Sequence, residues 1–118
     1  MRKIEFINDH YYHIFNRGVD KRAIFSSERD FSRFYESLYL FNDANYKHRD
    51  GHLFTRLGDL SCHEINEEDR SPLVSIVSFC LMKNHFHLLL RQKVEGGISL
   101  FMKKITQGYS RYFNEVNE

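Results

Sequence analysis

Leu81-Met82-Lys83-Asn84-His85-Phe86-His87-Leu88-Leu89-Leu90 reads as a turn followed by a strand with two unlike faces. Lys83-Asn84 turns the chain, and successive side chains of a strand leave on opposite sides. His85 and His87 then share one face, while Phe86, Leu88 and Leu90 share the other. The apolar face is material for a core. The opposite face carries two imidazoles side by side on a rigid support, which is half of a divalent-metal site.

Upstream, residues 73–81 form an apolar run that predicts a central strand, pairing back through Lys83-Asn84 with 85–91 as an antiparallel hairpin. Cys80 lies inside that run and reads as a small buried hydrophobe. Residues 11–17 alternate and carry aromatic and β-branched side chains, so they predict another strand, ended by Gly18. Ser26 and Ser27 precede Glu28 and Asp30, an N-cap followed by acidic first-turn residues. Phe31, Phe34, Tyr35, Leu38 and Phe41 then recur at helical spacing, predicting a helix over roughly 27–42. Gly96-Gly97 breaks the chain again. Beyond it, Ile98, Phe101, Met102, Ile105, Tyr109, Tyr112, Phe113 and Val116 fall on about a third of a helical circumference.

Strand, helix, strand, strand, helix predicts an α+β fold: a ferredoxin-like antiparallel sheet with its helices on one face. A fourth strand would complete that unit, and the pattern runs out before one, so the domain is expected to be incomplete. Residues 43–72 are polar and aperiodic. They read as a loop insertion, with a short hairpin around 52–57, inside a single domain spanning 1–118.

The 118 residues hold eleven Phe and seven Tyr with a single Pro, a composition for a packed core rather than disorder. A net charge of +1 means that bulk electrostatics do not by themselves select nucleic acid as a partner, so any basic patch has to be local. Two cysteines, Cys62 and Cys80, make no disulfide framework. No apolar stretch has the length of a membrane span and the polar start lacks a signal peptide, so the chain reads as cytoplasmic. His48, His52, Cys62 and His63 have a loose likeness to a structural zinc site.

Four blocks in this order carry a family resemblance: Tyr11-Tyr12-His13-Ile14-Phe15-Asn16-Arg17-Gly18, Cys80 through Leu90, Gly96-Gly97-Ile98-Ser99, and Gly108-Tyr109-Ser110-Arg111-Tyr112-Phe113-Asn114. Together they resemble the single-tyrosine HUH transposases, and within these the branch associated with repetitive extragenic palindromes. The resemblance covers 11–42 and 73–117. It departs at Lys83, where the family usually has Pro. It departs again in the nucleophilic tyrosine, which the family places in a Tyr-Ile-His-x-Asn-Pro-like stretch after a fourth strand.

The resemblance implies DNA transposition. A Mg²⁺ or Mn²⁺ ion held by His85 and His87 polarises the scissile phosphate of single-stranded or hairpin DNA, and a tyrosine attacks to give a 5′-phosphotyrosine link and a free 3′-hydroxyl. Imidazole is not the favoured ligand of Mg²⁺, so an oxygen-bearing third ligand is expected, one helical turn past the tyrosine in the family. The nucleophile is expected beyond Glu118. Tyr109 and Tyr112 are the in-chain candidates, and their place on an apolar helix face favours a core role for both.

Arg17, Lys21 and Arg22 after the first strand, and Lys103, Lys104 and Arg111 on the last helix, are candidate phosphate contacts. Gly18 beside Arg17 permits close backbone approach. An unpaired sheet edge, where a fourth strand would sit, predicts a homodimer. A non-catalytic module that binds hairpin DNA or a partner subunit is the alternative from another class, and a small metal hydrolase the third.

Overall fold

The computed structural model describes residues 5–45 and 70–117. Its elements are β1 (Tyr11–Arg17), α1 (Glu28–Leu40), β2 (Val74–Met82), β3 (His85–Gln92) and α2 (Gly97–Val116), with a 3-10 turn at Val19–Lys21. The strands form one antiparallel sheet in the order β1-β3-β2, and both helices pack on one face of it. The α+β fold with helices on a single face is therefore the one that forms. The zinc-like set His48, His52, Cys62 and His63, and the hairpin expected near 52–57, lie outside the described residues. No helix among the described residues is long and apolar enough to cross a membrane.

Strand β3 lies between the other two and alternates along its whole length. Phe86, Leu88, Leu90 and Gln92 are buried, and His85, His87, Leu89 and Arg91 are only half-buried. The buried row meets Phe34 and Leu38 of α1 and Ile98, Phe101, Ile105 and Tyr109 of α2 in one core. Gln92 is the single polar member of that row, and it is fully satisfied. Its amide donates to the Phe6 carbonyl and to Asn8 Oδ1, and its Oε1 accepts the Ile98 N–H at 3.0 Å. The last of these bonds caps α2. Its own N-cap residue, Gly96, has no side chain to satisfy the orphan donors of a first turn.

Two expectations about 73–81 are corrected. Among the described strands the run lies at the edge and β3 at the centre, and Cys80 is exposed rather than buried. The exposure of Cys80 has its physical cause in a β-bulge between Ile76 and Ser78. Val74 and Ile76 pair with Gln92 and Leu90 on the core side. Past the bulge the parity inverts, so Phe79 and Leu81 pair with Leu88 and Phe86, and Cys80 pairs with His87 on the open side. Apolar content alone does not reveal an extra residue in a ladder.

Helix α1 begins as its sequence signals. Ser27 Oγ accepts the Asp30 N–H, and Asp30 Oδ2 reaches back to the Ser26 N–H at 2.7 Å. The remaining oxygen of Asp30 takes the hydroxyl of Tyr112 at 2.7 Å, which joins the start of α1 to the last turns of α2. After α1, Asn42 clamps the start of β2: its Oδ1 accepts from the N–H groups of Leu73 and Val74, and its amide donates to the Val74 carbonyl. Arg70 lies over the Tyr39 ring and donates to the Tyr39 and Asn42 carbonyls, so positions 42 and 70 are held together.

The linker from β1 to α1 folds over the β2–β3 turn. Gly18 donates to the Asn84 carbonyl, and Ile24 and Phe25 both donate to the Lys83 carbonyl. At Gly18 a Cβ would run into the Arg22 carbonyl oxygen. The close approach this glycine permits is thus to the chain itself.

Candidate functional site

The face of the sheet opposite the helices carries the site. On β3 it presents His85, His87, Leu89 and Arg91. On β1 the residues directly across are Arg17, Phe15, His13 and Tyr11 in that order. Strand alternation sends both rows the same way, because Tyr12 and Ile14 take the inward positions against the core. His85 and His87 therefore share the open face as the sequence predicts, with ring centroids 5.1 Å apart.

A third histidine joins them. His13 Nε2 lies 2.8 Å from His87 Nδ1. His85 Nδ1 lies 2.7 Å from Asn84 Oδ1. Phe15 sits against the pair, with its ring 4.9 Å from that of His87 and 5.7 Å from that of His85, and it is 47% exposed. Desolvation, and then the proximity of His13 and His85, hold the His87 pKa below the ordinary histidine value. A neutral ring keeps the lone pair that metal ligation requires.

Sequence reasoning missed His13, Phe15 and Asn84. All three lie within stretches whose strand or turn was legible. For His13 and Phe15 only the β1–β3 register, a pairing between residues far apart in the chain, shows that they meet the histidines, whereas Asn84 is the sequence neighbour of His85 and meets it through the conformation of the turn. Among the described residues no group of three or more His, Cys, Asp or Glu side chains is arranged to hold a metal ion. The donor set is two imidazoles on one face, which suits part of a coordination sphere that water and substrate oxygens would fill.

The candidate phosphate contacts fall into two groups. Arg17 lies across from His85 with its guanidinium over the Phe15 ring, and exposed Lys21 and Arg22 follow in the linker that covers Asn84. The other three belong to α2, on the helix side of the sheet. Lys103 and Arg111 are exposed there. Lys104 is half-buried and donates to the Asp43 carbonyl at 2.7 Å. Burial draws its pKa below the usual lysine value in spite of Asp43. Arg91, at the far end of the open face, pairs with Asp9 at 2.9 Å and lies beside the Tyr11 ring.

Tyr109 and Tyr112 are core residues, 8% and 3% exposed, on the opposite side of the sheet from the histidines. Tyr109 donates to the Ile24 carbonyl, and Tyr112 donates to Asp30. Desolvation, with Asp30 and Tyr112 nearby, pushes the Tyr109 phenol far above its ordinary value. Burial, and then the bond to Asp30, push Tyr112 up to about 12. Neither can present a phenolate to a phosphate held at the open face. Tyr11 is on the right face, yet it stands four residues before Phe15, roughly 13 Å along a strand. An apolar cleft of about 210 Å³ opens between Arg17, Phe86, Tyr109 and Phe113, on the helix side, and no histidine lines it.

A family model described as "Transposase IS200 like" matches residues 40–118, a stretch that takes in β2, both histidines of β3 and α2. The Tyr11–Gly18 block lies outside the matched residues. No curated protein and no solved structure matches the chain.

Proposed function

The chain belongs to the IS200-like transposase family, and from that premise we propose that it acts on single-stranded or hairpin DNA in the cytoplasm. The reaction is metal-dependent strand cleavage and transfer through a phosphotyrosine link, as in the branch associated with repetitive extragenic palindromes. One observation carries this reading. His85 and His87 stand side by side on the central strand, open to solvent, with an aromatic ring and a guanidinium on the neighbouring strand of the same face.

Each group then has a role. His85 and His87 would hold Mg²⁺ or Mn²⁺, of which Mn²⁺ accepts imidazole more readily. Such an ion, when bound, would neutralise charge developing on the phosphate. Arg17, Lys21 and Arg22 anchor backbone phosphates beside that point, and the exposed ring of Phe15 offers a base a surface to stack on. Lys103 and Arg111 provide a second basic face for the flanking duplex of a hairpin. Lys104 serves the fold first. The attacking tyrosine is neither Tyr109 nor Tyr112, whose hydroxyls are committed to the core.

Incubated with Mn²⁺ and a single strand flanking a hairpin, the full-length protein is expected to form an adduct that survives denaturing electrophoresis. His85→Ala is expected to abolish it. An adduct that persists without both histidines would sink the mechanism. The second reading, a module that binds hairpin DNA and cleaves nothing, is favoured by one fact: among the described residues, no tyrosine ring packs against the histidines. It predicts retained binding, weakened by Arg17→Ala, and no adduct under any metal.

The outer edges of β1 and β2 pair with no strand among the described residues. Unpaired edges template association, and a homodimer through one of them is part of the proposal. Light scattering is expected to show a mass that rises toward twice the monomer with concentration. A constant monomer mass across the range would remove the dimer.

A further inference from the structure

We propose that His13 is a positioning residue for His87, as Asn84 is for His85, so that both rings of the metal pair turn Nε2 toward the cation. The proposal rests on the reading of His85 and His87 as that pair. Asn84 Oδ1 only accepts, so the Nδ1 facing it at 2.7 Å carries the proton, and a neutral ring then has its lone pair on Nε2.

At His87 the partner is another imidazole. The two ring planes differ by 8°, their centroids are 5.0 Å apart, and the facing nitrogens are 2.8 Å apart. Rings stacked face to face touch at roughly 3.5 Å, so this closer approach is edge to edge, along a hydrogen bond. With His87 Nδ1–H as the donor and His13 Nε2 as the acceptor, His87 keeps its lone pair on Nε2. The reverse assignment would put a proton there and close the ring to a cation. Partners of this kind fix the tautomer and orientation of ligating histidines, and their removal weakens metal binding.

The geometry supports an orienting role over direct ligation. His13 Nε2 is engaged with His87 Nδ1, so its lone pair is taken up by that hydrogen bond and not offered to an ion. His13 is exposed at the end of its contacts, so its replacement leaves the core intact.

Two measurements test this. In metal-free protein, nitrogen-15 spectra of the imidazoles are expected to show His85 and His87 as Nδ1–H tautomers, and His13→Ala to release His87 into a mixture without altering His85. Titration with a manganese(II) salt, read by electron spin resonance of the free ion, is expected to show binding weakened by roughly 10- to 100-fold in His13→Ala. His13→Gln should recover most of it, since its amide oxygen can accept where Nε2 did. An unchanged His87 tautomer in His13→Ala would overturn the proposal, as would a loss in affinity equal to that of His87→Ala with no recovery by Gln. If the unaltered protein bound no Mn²⁺ at all, the metal reading would fall, while the metal-free spectra would still decide whether His13 orients His87.

Discussion

Phe34→Ala is expected to lower the unfolding free energy by about 3–5 kcal/mol, the range for removing a buried aromatic ring. Phe34 is 1% exposed and is the point where four parts of the molecule meet. Its ring lies 5.3 Å from Phe25 of the linker, 4.8 Å from Phe86 of β3 and 5.4 Å from Tyr109 of α2. Domains of this kind are stable by only about 5–15 kcal/mol, so one substitution would remove a large share. The effect should reach the open face, because Phe86 is the residue between His85 and His87. Urea denaturation supplies the number. Exposed Glu36 on the same helix is the control, where alanine should change stability by no more than about 0.5 kcal/mol. A loss at Phe34 near that control would mean that the two helices do not share a core with β3.

Asp30→Ala is expected to cost about 3–5 kcal/mol for a different reason. The carboxylate is 2% exposed and answers two donors, the Ser26 N–H and the Tyr112 hydroxyl. Removing it strands the buried Tyr112 hydroxyl, at about 1–3 kcal/mol, and takes from the Ser26 N–H of an exposed residue a hydrogen bond to a charged group, worth about 1.5–3 kcal/mol. It also takes a negative charge from the first turn of α1, worth a further ~0.3–1 kcal/mol. Tyr112→Phe should cost less, about 1.5–3 kcal/mol, because it removes a hydrogen bond to a charged group but leaves Asp30 its bond to the Ser26 N–H. The double variant should then be less destabilised than the sum of the singles. Strict additivity would show that the Asp30–Tyr112 bond contributes nothing.

The same bond carries a pH dependence with a definite sign. Tyr112 must keep its proton in order to donate, and its pKa rises from the ordinary 10 to about 12 in the fold. Its contribution is complete below pH 10 and disappears as pH climbs toward 12. In Tyr112→Phe the alkaline loss of stability between those values should be correspondingly shallower.

Much of this was legible before any coordinates. The period of two in His85–Leu90 separated a core face from a site face, because a strand leaves no other place for its side chains. Ser27 and Asp30 marked the start of α1, and the apolar third of α2 identified Tyr109 and Tyr112 as core. Two matters were hidden for physical reasons. The bulge at Val77 inverts the parity of β2 with no local signature, so Cys80 looked inward while the ladder turned it outward. His13 becomes the neighbour of His87 only through a β1–β3 register that is set by packing across the whole sheet. Lys104 shows the same limit from the other side: a lysine on a polar helix face reads as solvated until a carbonyl from another segment comes within reach.

Strand β3 also protects the site against a misassembled version of itself. Shifting its pairing by one residue would exchange the two faces, sending both imidazoles into hydrocarbon and Phe86, Leu88 and Leu90 into water. Exposing those three side chains alone costs about 1.5–3 kcal/mol each. Gln92 would lose its three bonds in the same step, and α2 its cap. A chain that reaches a stable fold has therefore already placed its histidines on the open face, and a population of well-folded molecules with the two faces of β3 exchanged has no state in which to accumulate.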